Sequence, residues 1–250
     1  ASQVLTTDGG AVKRWDLTTG TVLQVMAVPS GTITSFLPHG SGLVLKTEPT
    51  AFDVWSLQPF QRRLSFVGEL QGMYLMGNDL TDYSHFAVSP DGSLIATGGL
   101  DPSVRLWDAT TGFERLTLEM DSNFIDGLAF SPDGRWLAVV RSGWTNPALL
   151  LLDAATGLQV REFALEPGSD PRPLAFSPDG MSVAVTNEVV QVWDLASAQA
   201  ATVLEKPASA LAYSPDGGLL AAGEVSGTLE TVLERLADFH ARHAAEAPAM

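Results

Sequence analysis

Short apolar runs separated by turn residues dominate the chain, and many of them come in pairs on either side of the tetrapeptide Ser-Pro-Asp-Gly. In such a turn proline presets φ to about −65°, aspartate accepts hydrogen bonds from nearby backbone N–H groups, and glycine takes a positive φ without steric cost. Two short apolar runs joined by this turn predict a β-hairpin. The tetrapeptide occurs at 89–92, 131–134, 177–180 and 214–217, with a degenerate copy at 37–40.

A second string, centred on a Trp-Asp pair, recurs out of phase with the first. It predicts the end of a third strand, followed by a turn and then by a fourth strand, and the turn contains glycine at 16–20, 108–112 and 153–157. The copies are RWDL at 14–17, VWSL at 54–57, LWDA at 106–109, LLDA at 151–154 and VWDL at 192–195. Both strings repeat at about forty residues. Because one unit of four antiparallel strands cannot bury both of its faces, several units must stack.

The two strings together resemble the WD-repeat family of β-propellers, in the form whose repeats carry Ser-Pro-Asp-Gly turns, and the resemblance covers residues 1–227. It implies an all-β fold, a β-propeller of four-stranded antiparallel blades. The Gly-His dipeptide of the family is missing, and its aspartate six residues before the Trp position survives only as Asp101. We therefore expect the buried His–Asp hydrogen-bond network of the family to be largely absent.

The two ends of the chain each hold an incomplete repeat. The first repeat begins at its second strand, and the last supplies two strands before the pattern stops near Gly227. The partial repeats either combine, which gives five blades with a surplus strand, or stay separate, which gives six or part of a larger ring; we favour six with incomplete outer blades. Residues 228–250 are predicted to form a C-terminal amphipathic helix and tail outside the propeller domain, because apolar residues recur there at helical spacing.

Composition excludes several classes of protein. The chain has 14 basic residues, 29 acidic residues, a net charge of −15 and no cysteine. It therefore has no disulfide framework and no thiolate metal site, and its acid excess argues against a protein that tracks nucleic-acid phosphates. An apolar run of the roughly 18 residues needed to span a membrane is missing, and the first residues do not resemble a signal peptide. We expect a cytoplasmic protein that binds neither nucleic acid nor membrane.

Catalytic and phosphate-binding motifs are not found in the sequence, so we expect no enzyme activity, no cofactor and no metal site. The histidines are scattered: His39 lies in a turn, His85 begins a strand, and His240 and His243 lie three residues apart on the predicted helix. Two such ligands alone make a weak metal site. The aspartate of the Ser-Pro-Asp-Gly turns is interpreted as structural, since it recurs in every copy.

Three connections, at 68–84, 141–147 and 166–173, are longer than the repeat requires. Long connections inside a compact repeat are often functional. In the family, loops that join second to third strands, or one blade to the next, lie on the top face, so the resemblance implies that all three converge there. Aromatic and Arg residues are common interface anchors. We expect the partner-binding residues to be Tyr74, Tyr83, Arg141, Trp144 and Arg172, with Asp121, Glu166 and Asp170 as an acidic rim.

The leading functional hypothesis is a noncatalytic scaffold that binds a protein or peptide on the top face, and the net charge favours a basic partner. One alternative is a sensor or regulatory module of a larger signalling or defence protein. Another is small-ligand binding or catalysis in the central channel. The innermost strands read Phe-Ala-Val, Leu-Ala-Phe and Leu-Ala-Tyr, which predicts a channel filled by apolar side chains and disfavours this last alternative.

Overall fold

The computed structural model describes the chain as β-structure. The described residues are 3–7, 11–16, 18–27, 32–37, 41–46, 51–57, 59–67, 85–99, 102–120, 124–142, 147–165, 173–186, 189–205, 207–208, 210–223 and 229–231. Every regular element in these ranges is a strand, and the strands form six antiparallel sheets. The all-β class predicted from the repeats is confirmed.

Each sheet is made of strands that follow one another in the chain. Sheet 1 contains β1 (Gln3–Thr7), β2 (Ala11–Asp16) and β3 (Thr21–Ala27), and sheet 2 contains β4 (Thr32–Phe36), β5 (Gly42–Lys46), β6 (Ala51–Leu57) and β7 (Phe60–Val67). Sheet 3 contains β8 (His85–Val88), β9 (Leu94–Gly98), β10 (Ser103–Asp108) and β11 (Glu114–Glu119). Sheet 4 contains β12 (Phe124–Phe130), β13 (Trp136–Ser142), β14 (Ala148–Asp153) and β15 (Gln159–Ala164). Sheet 5 contains β16 (Leu174–Phe176), β17 (Ser182–Thr186), β18 (Val190–Asp194) and β19 (Ala200–Leu204), and sheet 6 contains β20 (Ala210–Tyr213), β21 (Leu220–Gly223) and β22 (Leu229–Thr231).

The alternating strand directions decide at which end of a sheet each connection lies. In sheets 3 to 5 a Ser-Pro-Asp-Gly turn joins the first strand to the second, and the third-to-fourth connection returns to this same end, which we call the turn end. The second-to-third connection and the passage to the next sheet lie at the opposite end, the top end. Sheet 1 holds the second, third and fourth strands of this pattern, and sheet 6 holds the first, second and third.

The Ser-Pro-Asp-Gly turns form the hydrogen bonds that their sequence predicts. The Ser89 hydroxyl donates to Asp91 Oδ1 at 2.6 Å, and the backbone N–H of Ser93 donates to the same oxygen at 3.0 Å. These donors, the Ser89 hydroxyl first, hold the pKa of Asp91 below its usual value. The same pairings recur in the other three turns. The glycines have positive φ angles, of 72° at Gly92 and Gly134, 71° at Gly180 and 73° at Gly217. The structural role predicted for the four aspartates is confirmed.

The hydrophobic core lies between consecutive sheets, and five apolar clusters join the six sheets in chain order. Trp107 of sheet 3 packs against Val44 and Val54 of sheet 2 and is only 7% exposed. Its indole N–H donates to the Thr97 hydroxyl at 2.9 Å. Trp107 is thus buried between two sheets, whereas the equivalent residues Trp15, Trp55 and Trp193 are half-buried.

The turns between third and fourth strands also place glycine in the left-handed region, at Gly20, Gly112 and Gly157. Sheet 5 departs from this pattern, because Ala198 occupies the glycine position with a φ of 60°. A residue with a Cβ atom is strained there by about 1–2 kcal/mol.

Replacing Ala198 with glycine is expected to stabilise the protein by about 0.5–1 kcal/mol, since relief of the strain exceeds the added entropy of the unfolded chain. Urea unfolding measures the change. Ala196→Gly, in the same exposed turn but without a positive φ, is the matched control and should destabilise by about 0.4–1 kcal/mol. If both variants change the free energy of unfolding in the same direction, the strain assigned to Ala198 is wrong.

The last sheet corrects the prediction for the C-terminal segment. Residues Leu229–Thr231 form strand β22, which pairs with β21 through Leu229 and Gly223, Glu230 and Ala222, and Thr231 and Ala221. The helix predicted to begin at residue 228 therefore does not begin there, because these residues are hydrogen-bonded into sheet 6. Residues 232–250 lie outside the described residues, so a helix in that part and the number of blades in a closed ring stay predictions.

Candidate interaction surface

The three extended connections attach to the top ends of neighbouring sheets. The first runs from Val67 at the end of β7 to His85 at the start of β8, and so leads into sheet 3. The second joins β13 to β14 within sheet 4, and the third leads from β15 to β16 of sheet 5. The strand directions therefore place the attachment points of all three at one end of sheets 2 to 5, as the family resemblance implied.

Of the predicted partner-binding residues, the structure places one. The other seven lie outside the described residues: Tyr74, Tyr83, Asp121, Trp144, Glu166, Asp170 and Arg172. Arg141 lies inside them, but on strand β13, which extends to Ser142, and not in the following loop. The prediction that Arg141 belongs to the loop is wrong, because its backbone pairs with Ile125 on one side and Ala148 on the other.

The Arg141 side chain is largely buried at the seam between sheets 3 and 4, with 10% of its surface exposed. Its guanidinium donates to Glu162 Oε1 on β15 at 2.6 Å, while Glu162 Oε2 accepts from the Gln159 amide at 3.0 Å. Among the described residues, its Nε atom is buried without a hydrogen-bond partner. Arg141 therefore links the second strand of sheet 4 to the fourth, a structural role in addition to the binding role that stays a prediction.

A buried acid on the innermost strand of sheet 4 was missed by the sequence reasoning. Asp126 lies in a bulge of β12, between Ile125 and Gly127, and is buried. Bulges redirect side chains and are frequent beside functional sites. The signal in the sequence is the acid that interrupts the apolar run Phe124–Phe130. Since Ile125 pairs with Arg141, two side chains of opposite charge lie on neighbouring strands at the top end.

Backbone contacts hold this corner of sheet 4 against sheet 3. The N–H of Ile125 donates to the carbonyl oxygen of Gly99 at 2.8 Å. A Cβ atom on Gly98 would lie 2.7 Å from Cγ2 of Ile125, so glycine is needed for this close approach. These contacts hold the top ends of sheets 3 and 4 together, and the extended connections are attached to these ends.

The perturbed carboxylates lie at the other end of the molecule. The pKa of Asp133 is lowered mainly by a hydrogen bond from Ser131, and the pKa of Asp216 mainly by one from Ser214. Hydrogen bonds from the Arg115 guanidinium are the main cause that lowers the pKa of Asp108. All three carboxylates hold turns together. In the part of the chain that the structure describes, acidic residues and histidines form no group of three or more suited to a metal ion. Within the same part, a helix long and apolar enough to cross a membrane is not found.

The sheets, each packed on the one before it, define the chain as a β-propeller protein built from four-stranded repeats. The family model of the WD domain, G-beta repeat, matches residues 77–108. This match over one repeat, with the relatives described next, supports the resemblance of the chain to the WD-repeat family.

Two curated relatives are small ribosomal subunit proteins. RACK1y of Oryza sativa subsp. japonica is 31% identical over 155 residues, a match that covers 58% of this chain and 45% of the relative. RACK1 of Schizosaccharomyces pombe is 32% identical over 122 residues, covering 45% of this chain and 37% of the relative. The matched part of the chain thus spans less than half the length of these relatives.

Solved structures share the fold at low sequence identity. A chain of the Mitotic Checkpoint Complex superposes with a TM-score of 0.68 at 20% identity, covering 89% of this chain and 68% of that one. A chain of the Kuenenia stuttgartiensis hydrazine synthase gives a TM-score of 0.68 at 19% identity, covering 88% and 70%. At this level of identity the likeness concerns the propeller fold alone.

Proposed function

We propose that the protein is a noncatalytic interaction scaffold that binds a protein or peptide at the top end of the propeller. The observation that carries the proposal is that three extended connections attach to one end of adjoining sheets, while the turns at the other end are short and alike. Loops displayed by a rigid scaffold are where binding residues concentrate. The RACK1 relatives support a scaffold role, since they are named as components of the small ribosomal subunit. Their name also supports a cytoplasmic location.

The charge of the chain indicates the chemistry of the partner. A net charge of −15 raises the association rate of basic partners and slows that of acidic ones. The anchors we favour are Trp144 and Arg172, which lie in the second and third extended connections, with the remaining aromatic and acidic residues around them. Aromatic and Arg anchors at the centre of an interface commonly contribute about 2 kcal/mol or more each.

Peptide selection tests the proposal without a known partner. Peptides selected from a displayed random library against the wild-type protein should be enriched in Lys and Arg. The double variant Trp144→Ala/Arg172→Ala should weaken their binding by about 100-fold or more, because two anchors are lost. Its melting temperature should stay close to the wild-type value.

The matched control removes one aromatic residue and one Arg from the turn end. Phe113 is 74% exposed, and Arg135 is also exposed, with its guanidinium 4.4 Å from the centre of the Trp136 ring. Phe113→Ala/Arg135→Ala should leave binding nearly unchanged and cost at most about 1 kcal/mol of stability, the size of an exposed cation–π contact. Loss of binding in this control, with full binding in the Trp144→Ala/Arg172→Ala variant, would place the binding surface at the turn end and refute the proposal.

A further inference from the structure

Three charged residues are buried in the described parts of the chain: Asp53, Asp126 and Arg141. Two of them have a partner of opposite charge. A carboxylate oxygen of Asp53 lies 3.6 Å from the Arg62 guanidinium, and the Arg141 guanidinium lies 2.6 Å from a carboxylate oxygen of Glu162. Asp126 is 7% exposed, and within the same parts its carboxylate forms no ion pair or hydrogen bond. A buried acid without a partner costs free energy, which indicates a role other than stabilising the fold.

The carboxylate of Asp126 still reaches solvent. Among the described residues, the side-chain oxygen and nitrogen atoms that are fully buried without a hydrogen-bond partner do not include its oxygens. Most of the side chain is therefore packed, while its charged atoms keep contact with solvent. An acid held in this way loses little side-chain freedom when a ligand binds, and this preorganisation favours affinity.

Asp126 lies where the innermost strand of sheet 4 extends beyond its neighbours. Strand β12 lies between β8 and β16, and all three strands end directly before a Ser-Pro-Asp-Gly turn. Strand β12 has 7 residues, β8 has 4 and β16 has 3, so β12 reaches further toward the top end. Asp126 occupies a bulge in the extending part, and bulges redirect side chains. The acid therefore lies at the end of the sheets to which the extended connections attach.

We propose that Asp126 binds a Lys or Arg side chain of the protein or peptide partner. This contact rests on the proposed function, since it needs a partner at the top end, and it adds the residue that selects a basic one. The cation of the partner supplies the counter-charge, because Arg141 on the neighbouring strand is already engaged with Glu162. Charge-assisted hydrogen bonds to a largely desolvated carboxylate are among the stronger contacts of an interface.

Removal of the charge without a change of shape tests the contact. The probes are peptides selected on the wild-type protein whose binding depends on Trp144 and Arg172. Asp126→Asn should weaken their binding by about tenfold or more, as expected for the loss of one partner of a buried charge pair. The matched control is Glu119→Gln, which removes one negative charge from an exposed position at the top end of sheet 3. It should change the affinity by less than about twofold.

A double-mutant cycle identifies the side chain of the partner. Each Lys or Arg of a selected peptide is replaced in turn by Gln, and each peptide is measured with the wild-type protein and with Asp126→Asn. Replacement at one position should cost about tenfold or more with the wild type and less than about twofold with Asp126→Asn, since both changes remove the same contact. If Asp126 only supported the local fold, Asp126→Asn would weaken the binding of all these peptides equally.

The melting temperature separates binding from folding. Because Asp126 has no partner of opposite charge among the described residues, Asp126→Asn should leave the melting temperature unchanged or raise it. A fall of more than about 4 °C means that the carboxylate serves the fold, and this overturns the proposal.

The remaining outcomes distinguish this contact from the proposed function. Unchanged affinity in Asp126→Asn, or a loss that is not coupled to one basic position of the peptide, overturns the contact alone, because Trp144→Ala/Arg172→Ala still reports binding at the top end. If no selected peptide depends on Trp144 and Arg172, the proposed function is wrong and the contact of Asp126 is wrong with it.

Discussion

Trp107→Ala is expected to lower the free energy of unfolding by about 3–5 kcal/mol, the usual cost of removing a buried aromatic side chain. The indole is 7% exposed and fills the space between sheets 2 and 3, where it contacts the cluster that includes Val44, Val54 and Ile95. Its removal leaves a cavity at the interface between two sheets, and the Thr97 hydroxyl loses the hydrogen bond that it accepts from the indole N–H. Urea unfolding followed by far-UV circular dichroism measures the loss.

Two further variants separate packing from the hydrogen bond. Trp107→Phe keeps most of the buried ring and removes the N–H, so it should cost about 1–3 kcal/mol, which is typical of a buried group left without its partner together with a small cavity. Phe113→Ala, an aromatic truncation at a site 74% exposed, should stay within about 0.5 kcal/mol of the wild type. A loss at Phe113 as large as that at Trp107 would contradict the assignment of the core to the seams between sheets.

Glu162→Ala should destabilise the protein by about 2–3 kcal/mol, because it leaves the Arg141 guanidinium buried without its counter-charge. Arg141 is 10% exposed, and its 2.6 Å contact with Glu162 is the ion pair that holds it at the seam between sheets 3 and 4. We place the value below the roughly 3–5 kcal/mol typical of fully buried pairs, since the Glu162 side chain is itself 42% exposed.

The informative comparison is with Arg141→Met, which removes the buried charge and keeps a long apolar side chain in the seam. This variant should lose less than about 1.5 kcal/mol, because an apolar replacement of similar size compensates for much of a buried ion pair. If Arg141→Met proves more destabilising than Glu162→Ala, the pair stabilises the seam by more than its desolvation cost. Screening both variants against the selected peptides also shows whether Arg141 contributes to binding.

Local chemistry made the turns and hairpins predictable. A Ser-Pro-Asp-Gly turn needs only its own residues, such as the Ser89 hydroxyl, the Asp91 carboxylate and the positive φ of Gly92, to close. The apolar runs on both sides then pair as hairpins, because the turn sets their register. For the same reason the aspartates of these turns can be interpreted as structural from the sequence alone.

The ends of strands were less predictable, because pairing with another strand decides them. Arg141 follows the apolar run of β13 and its sequence context predicts a loop, yet the ladder to Ile125 and Ala148 continues through it. Leu229–Thr231 fit a helical spacing of apolar residues, but hydrogen bonds to Ala221, Ala222 and Gly223 make them a strand. These hydrogen bonds are made with a neighbouring strand, which the local pattern of apolar residues does not reveal.

The sequence by itself determined the repeat and the all-β class, which follow from turn chemistry and from a spacing of about forty residues. The resemblance to the WD-repeat family implied the end of the sheets at which the long connections attach. The tertiary structure alone decided which charged side chains are buried, as Arg141 and Asp126 show, and which apolar side chains stay exposed, as Val22, Leu23 and Val25 show. The physical reason is that burial depends on which sheet packs against which face, and the same alternating strand pattern is compatible with a face that is covered and with one that is free.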